Sequence, residues 1–296
     1  IRRCKADISS YQPDVIIYID YPGFNLRIAE WAHTQGFHNH YYISPQVWAW
    51  KSNRVVKMKQ TLAALYTILP FEKSYFKEQH HYEVNYVGHP LLDSIDSAPP
   101  SHPFRNTHQL DERPIIALLP GSRSQEVKKM LPLFLKVIPH FPEHQFIVAG
   151  TTSLGVSFYT NLLMATPCKV VIGNTYELLQ SSEAARVTSG TATLEAALFG
   201  VPQVVCYKTS ALSYWLAKQW VKLEWISLVN LILDQQVIQE LIQEDCTPIS
   251  LQKSLNQLLD PKRVAQIQKH YKQLRDQLDQ GGASRKTADL IYSSLT

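Results

Sequence analysis

From residue 15 onward, short apolar runs alternate with amphipathic stretches. Val15–Asp20 (VIIYID) is β-branched and almost wholly apolar, the pattern of a parallel strand buried on both faces. NLRIAEWAHTQG then predicts a helix stopped by Gly36. HYYIS predicts a second strand, Arg54–Gln60 a helix, ALYTILP a third strand, EKSYFKEQH a helix and VNYVG a fourth strand. Residues 93–113 break the rhythm, being polar and rich in proline, serine and histidine, as a linker would be. Alternation resumes with the strands PIIALLP, QFIVAG, CKVVIG, ARVTS and VPQVVCY. Helices are predicted over KKMLPLFLKVIPHF, Thr175–Ser182 and TATLEAALFG. From about Ser250 the chain reads as helical, with Val264, Ile267, Tyr271, Leu274 and Leu278 on one stripe and a break at GGAS.

Strand–helix alternation of this kind is the mark of the α/β class. We expect two Rossmann-like domains: 1–95, then a linker over 96–113, then 114–250, followed by C-terminal helices over 251–296. Open α/β sheets bind ligands at the carboxyl ends of their strands, so the cleft between two such domains is the expected site.

Composition narrows the class. The 296 residues are 45% hydrophobic and 18% charged, which is globular rather than disordered. A net charge of +4 gives no reason to expect nucleic acid. Cys4, Cys168, Cys206 and Cys246 stand far apart, as free thiols of a reducing compartment do. The longest apolar stretch, Ala211–Leu233, is interrupted by Lys218, Lys222 and Glu224, so no membrane span is expected. The opening IRRCKADISS lacks the apolar core of a signal peptide. It reads as the end of a helix, so the chain is expected to begin partway through a domain.

Candidate chemistry lies in the strand-to-helix turns. In LLPGSRSQE, Gly121 permits a tight turn, Ser122 is placed to cap the next helix with Gln125 as partner, and Arg123 adds a fork of donors. Such a turn is an anion site, or simply a capped helix beside a solvent arginine. TSGTATLEAALFG repeats the arrangement with Ser189, Gly190 and Thr191. Glu195 follows one helical turn later, placed for two vicinal hydroxyls or for the helix dipole. Asp20 ends its strand, where partial burial would tune it as a general base or where it would cap the turn. His89 also ends a strand and is a candidate, against the ordinary reading of a turn histidine. No metal-ligand spacing, GxSxG elbow or P-loop occurs, so neither a metal nor another cofactor is expected. In ISPQVWAWKSNRVVKMK, Trp48 and Trp50 precede Lys51, Arg54 and Lys57, whose spacing of three predicts a basic helical stripe. That stretch is a solvated helix over a core, or a surface for an anionic, greasy partner.

Taken together, IDYPGFNLRIA, YYISPQVWAWK, ILPFEKSYF, VGHPLLD, LLPGSRSQEV, SGTATLEAALFGVPQVVCYK and WISLVNLI resemble the lipid-A-disaccharide synthases, inverting glycosyltransferases of the GT-B architecture. The resemblance runs from about residue 11 to about residue 250. It implies a hexosyltransferase that joins UDP-2,3-diacylglucosamine to 2,3-diacylglucosamine 1-phosphate (lipid X), giving a β-1,6-linked disaccharide 1-phosphate and UDP without a bound metal. It carries the catalytic base onto Asp20. The donor-nucleotide site falls on Gly121, Ser122, Arg123, Ser189, Gly190, Thr191, Glu195 and Asn230. The tryptophan-and-cation segment would border the acceptor and an anionic membrane surface, making the protein peripheral on the cytoplasmic face of the inner membrane. A homodimer is the candidate assembly. Gly23 stands where the family pattern has an aspartate, and the family's opening Gly-Glu-x-Ser-Gly-Asp turn does not occur here, which again predicts an incomplete N-terminal domain. The competing readings are another GT-B enzyme, such as a UDP-N-acetylglucosamine 2-epimerase or a soluble-sugar transferase, and a non-catalytic nucleotide-sugar or lipid-binding fragment.

Overall fold

The computed structural model describes residues 1–98, 104–163, 166–210, 214, 224–278 and 281–295. Residues 99–103 of the predicted linker, and Lys218 and Lys222 of the long apolar stretch, lie outside the described residues. The chain divides into two compact units, one built from Ile1–Asp93 and Gln277–Thr296, the other from Ser94–Gln219 and Leu223–Asp276.

The first unit opens with helix α1 (Arg2–Tyr11). Four parallel strands follow in the spatial order β1 (Val15–Ile19), β2 (His38–Tyr42), β3 (Ala64–Thr67), β4 (Asn85–Tyr86). Helices α2 (Pro22–Thr34), α3 (Arg54–Thr61) and α4 (Glu72–His80) make the crossovers, and α5 (Pro90–Asp96) follows β4. Tyr18, Ile28, Tyr41, Met58, Leu65 and Phe76 form the core between sheet and helices. A buried amide ties the layers: Asn39 accepts from the Tyr18 hydroxyl and donates to the carbonyls of Ala29 and Thr61. Strand β1 departs from expectation. It is an edge strand, and Ile17 and Ile19 on one face are 46% and 58% exposed, so it is buried on one face only.

The second unit holds six parallel strands in the order β7-β6-β5-β8-β9-β10, which is the doubly wound 3-2-1-4-5-6 order. They are β5 (Ile115–Leu119), β6 (Gln145–Gly150), β7 (Cys168–Ile172), β8 (Ser182–Thr188), β9 (Gln203–Tyr207) and β10 (Gln239–Ile242). Every residue of β5 and β6 is buried, as two covered faces require. A short helix α6 (Phe104–Thr107) forms inside the predicted linker, and Phe104 packs into this core. Helices α7 (Ser124–Leu135), α8 (Val156–Leu163), α9 (Thr175–Gln180), α10 (Ala192–Leu198) and α11 (Leu228–Leu233) connect the strands. Strand β10 and helix α8 extend the pattern read from the sequence.

Helices α12 (Pro248–Leu258) and α13 (Pro261–Gln277) pack by the predicted stripe, with Ile267, Tyr271, Leu274 and Leu278 buried. Gly281 and Gly282 both adopt positive φ at the break. Helix α14 (Ala283–Ser293) then belongs to the first unit, where Asp93 accepts from the Gly282 amide. Among the described residues, no helix is long and apolar enough to cross a membrane.

Candidate active site

Strands β5 and β8 are adjacent, and the sheet runs outward from them in both directions. This reversal of strand order is where open α/β sheets hold ligands, because the two following turns diverge and leave a crevice. A cavity of about 370 Å³ lies there. One wall is Gly121, Ser122 and Arg123; the other is Ser189, Gly190, Thr191 and Glu195; Thr151 and Thr175 complete the rim. Seven of the eight residues expected around a nucleotide thus meet in one cavity. A larger cavity, about 590 Å³, sits by Gln203 and Gln239, which begin β9 and β10, and so lies at the opposite strand ends.

The first turn is capped differently from expectation. Helix α7 starts at Ser124, so Arg123 and not Ser122 occupies the capping position, and the third helical residue is Glu126 rather than Gln125. Glu126 Oε2 accepts from the amides of Ser122 and Arg123, both at 3.3 Å, and Oε1 accepts from Arg123 Nη1 at 2.8 Å. Gly121 has φ +109°, and a Cβ there would lie 2.7 Å from Glu126 Oε2, so backbone and carboxylate together require glycine. The Arg123 side chain remains 81% exposed.

In the second wall, Ser189 Oγ donates to the Ile226 carbonyl at 3.2 Å. Glu195 is half-buried, which pushes its pKa up, and the Tyr176 hydroxyl donates to it at 3.4 Å. A carboxylate at a cavity wall with one lone-pair direction engaged still has acceptor capacity for a ligand's hydroxyls. Asn230 does not reach the cavity. It is fully buried, and its amide is fully engaged. Nδ2 donates to the Ile238 carbonyl and Glu240 Oε1, both at 2.9 Å, while Oδ1 accepts from the amides of Val237 and Ile238. Glu240 also accepts from the amides of Ile226 and Ser227. Among the described residues, Asn230 is linked to the cavity wall through Glu240 and the Ile226 backbone, which Ser189 bonds.

In the first unit, Asp20 follows the carboxyl end of β1, as expected, but it is exposed rather than partly buried. Its backbone is tightly held. Asp20 and Tyr21 have φ +45° and +48°, a left-handed pair that costs about 1–2 kcal/mol per residue for side chains with a Cβ. The Asp20 carbonyl accepts from Asn25 Nδ2 and from the Tyr41 hydroxyl, each at 2.6 Å, and the Asp20 amide donates to Tyr42 O at 3.0 Å. Asn25 stands in the first turn of helix α2, but its bond back over five residues leaves no periodic signal in the sequence. Gly23 faces open space: a Cβ added there would meet nothing within 4 Å.

Tyr41 also reports its surroundings. Its pKa is pushed up, first by burial and then by Asp20, while Arg54 opposes the shift. Arg54 opens α3, in the crossover that leaves the carboxyl end of β2, the strand paired with β1. The basic stripe expected there is not continuous. Lys51 precedes α3 and has φ +56°, so it lies in the turn, and Lys57 is paired with Glu30 at 2.9 Å. The cations gather instead around Trp50, with Lys51 Nζ 4.3 Å and the Arg54 guanidinium carbon 5.3 Å from its ring centre. Trp50 is 44% exposed. Trp48 is the inner tryptophan, edge-on to Phe71 and donating from Nε1 to Glu72 Oε1 at 3.2 Å.

Glu72 is 1% exposed and also accepts from the amides of Ile68 and Leu69. Burial outweighs these bonds and pushes its pKa up to about 7. His89 is not at a strand end: it precedes α5, is buried, and its Nδ1 accepts from the Leu91 amide. Burial pushes its pKa down to about 4. Among the described residues, no three His, Cys, Asp or Glu side chains are grouped to hold a metal.

Comparisons with known proteins bear on both units. The S. aureus MnaA–UDP co-structure superposes with a TM-score of 0.72 at 12% identity, covering 100% of this chain and 80% of its own. UDP-GlcNAc 2-epimerase from Neisseria meningitidis, bound to UDP-GlcNAc, gives 0.68 at 12% identity over 99% and 80%. These likenesses are of fold alone, the two-domain architecture shared by such epimerases and GT-B glycosyltransferases. Sequence is more telling. Lipid-A-disaccharide synthase of Nitrosococcus oceani is 37% identical over 309 aligned positions, covering 100% of this chain and 78% of that protein. The Coxiella burnetii enzyme is 35% identical over 289, covering 96% and 76%. The family model for lipid-A-disaccharide synthetase matches residues 1–292, so the chain belongs to that family of glycosyltransferases, which form the lipid A disaccharide.

Proposed function

We propose that the donor is UDP-2,3-diacylglucosamine and the acceptor 2,3-diacylglucosamine 1-phosphate, with the cavity between the β5 and β8 turns as the UDP site. The observation that carries this is convergence. The Gly121–Arg123 turn, with its amide and guanidinium donors, and Ser189, Thr191 and Glu195 line one space of about 370 Å³. Diphosphate needs the donors, and a ribose diol needs the acceptor. Glu195 takes the diol; Arg123 and the Gly121–Arg123 turn take the diphosphate.

In the reaction, the acceptor's 6-hydroxyl oxygen bonds to the donor's anomeric carbon as the bond from that carbon to the diphosphate oxygen breaks. The electron pair leaves on UDP, where Arg123 and the turn's amides stabilise the departing charge. The hydroxyl proton passes to the Asp20 carboxylate. Asp20 is exposed and its main chain is held by Asn25 and Tyr41, which supports a solvent-reachable carboxylate on a fixed backbone.

The Trp50–Lys51–Arg54 cluster supports an acceptor and membrane side on the first unit, with the protein peripheral on the cytoplasmic face of the inner membrane. An exposed indole flanked by two cations suits an anionic lipid interface. A homodimer is the proposed assembly. Calorimetric titration with UDP tests the donor assignment. Saturable binding with one site per chain is expected, and its absence would remove the cavity from that role.

A further inference from the structure

The donor turn already holds an anion, and that anion belongs to the protein. Glu126 Oε2 lies against the amides of Ser122 and Arg123, and Oε1 pairs with the Arg123 guanidinium. These three donors are the ones the proposed site offers to a diphosphate. Glu126 also lines the same cavity.

A capping carboxylate in the third helical position ordinarily accepts from the capping residue's amide alone. Here it spans two amides and one guanidinium group. The two amide bonds, at 3.3 Å, are longer than the usual 2.9–3.0 Å, so they are weak and exchangeable. The side chain is one-third exposed, which leaves a path for it to swing outward. Gly121 lacks the Cβ that would block the inward position.

We infer that Glu126 is a placeholder in the donor site: its carboxylate occupies the diphosphate's donors in the free enzyme and is displaced when the diphosphate arrives. This rests on the assignment of the cavity to UDP. The physical consequence is an affinity held below what the turn could deliver. A diphosphate must break the carboxylate's bonds and then sit beside its charge. The complementary benefit falls on product: when UDP departs, Glu126 refills the nest, so the amides and Arg123 are never left bare.

The test is calorimetric titration of wild type, Glu126→Gln and Glu126→Asp with three probes: UDP, inorganic pyrophosphate and uridine. Glutamine keeps the length and removes the charge; aspartate keeps the charge but is too short to reach both amides. Both variants are expected to bind UDP and pyrophosphate more tightly, glutamine by roughly tenfold, the scale of one partly screened like-charge contact. Uridine, which lacks phosphate, is expected to bind all three proteins alike. Thermal melts on the same samples confirm that each variant is folded. Unchanged or weaker UDP binding in folded Glu126→Gln, with wild type binding UDP normally, would overturn the placeholder and leave the donor assignment standing. Failure of wild type to bind UDP at all would overturn both.

Discussion

The Tyr41 hydroxyl donates to the Asp20 backbone carbonyl at 2.6 Å. Strand β2 thereby holds a left-handed residue at the end of β1, with Asn25 of α2 bonded to the same oxygen. The donor is a neutral hydroxyl, because burial, and then Asp20, raise the Tyr41 pKa and keep its proton in place. Tyr41→Phe should reduce stability by about 0.5–1.5 kcal/mol, the net value of one such bond. It should also lower kcat while UDP affinity stays the same, since the cavity lies in the other unit. Urea melts and steady-state kinetics check both; an unchanged kcat would mean that Asp20 does not need this clamp.

Glu72 gives the first unit a pH-dependent stability. Its folded pKa of about 7 exceeds the unfolded carboxyl value, so the folded state binds the extra proton between them. The stabilisation is complete below about pH 4.5 and is lost as pH rises through about 7, amounting to roughly 3 kcal/mol at 1.36 kcal/mol per pH unit. Urea denaturation at pH 5 and pH 8 should show this fall in wild type and its loss in Glu72→Gln. Parallel pH profiles for the two proteins would assign the slope elsewhere.

The cluster at Trp50 leads to a membrane test. Lys57 is left intact because Glu30 already pairs with it. Lys51→Gln with Arg54→Gln should weaken binding to anionic vesicles by about 2 kcal/mol, near 1 kcal/mol per cation, and high salt should erase the difference. Sedimentation with vesicles of anionic and zwitterionic lipid reads this directly. Equal partitioning of wild type and variant would reduce the cluster to ordinary surface.

Much of the fold is legible in the sequence, and the gaps have physical causes. Apolar runs such as IIALL and QFIVAG declare themselves as strands because both their faces are covered. The half-buried QELI of β10 and the serine- and threonine-rich approach to α8 carry no such contrast. The run VIIYI promises two covered faces, but Ile17 and Ile19 on one of them are exposed. In the site, Gly121–Arg123 and Ser189–Thr191 are readable as hydroxyl- and glycine-rich turns after strands. Glu126, Asn25 and Glu72 escape such a reading because each bonds to backbone only three to five residues back, so its role turns on the residue at which its helix starts, which sequence leaves open by a position or two. Asn230, assigned to the donor site by resemblance, has its side-chain amide engaged with the 237–240 segment, a contact the sequence alone does not announce.

Arg123 is the charged donor of the proposed diphosphate site. Arg123→Ala should weaken UDP binding by about 1.5–3 kcal/mol, the usual range for hydrogen bonds to charged groups. It should have little effect on stability, since the side chain is 81% exposed. Titration calorimetry measures the affinity, and an unchanged value would rule out the contact.

Everything proposed for the chemistry turns on Asp20 taking the acceptor's proton while UDP is held elsewhere in the chain. Asp20→Asn keeps the side chain's shape and removes its basicity. The decisive experiment is kcat for this variant beside its UDP dissociation constant. We expect kcat to fall by roughly 10²–10⁴-fold with UDP affinity nearly unchanged, as for a group needed only in the transition state. Near-normal turnover in the folded variant would show that the proton goes to some other group.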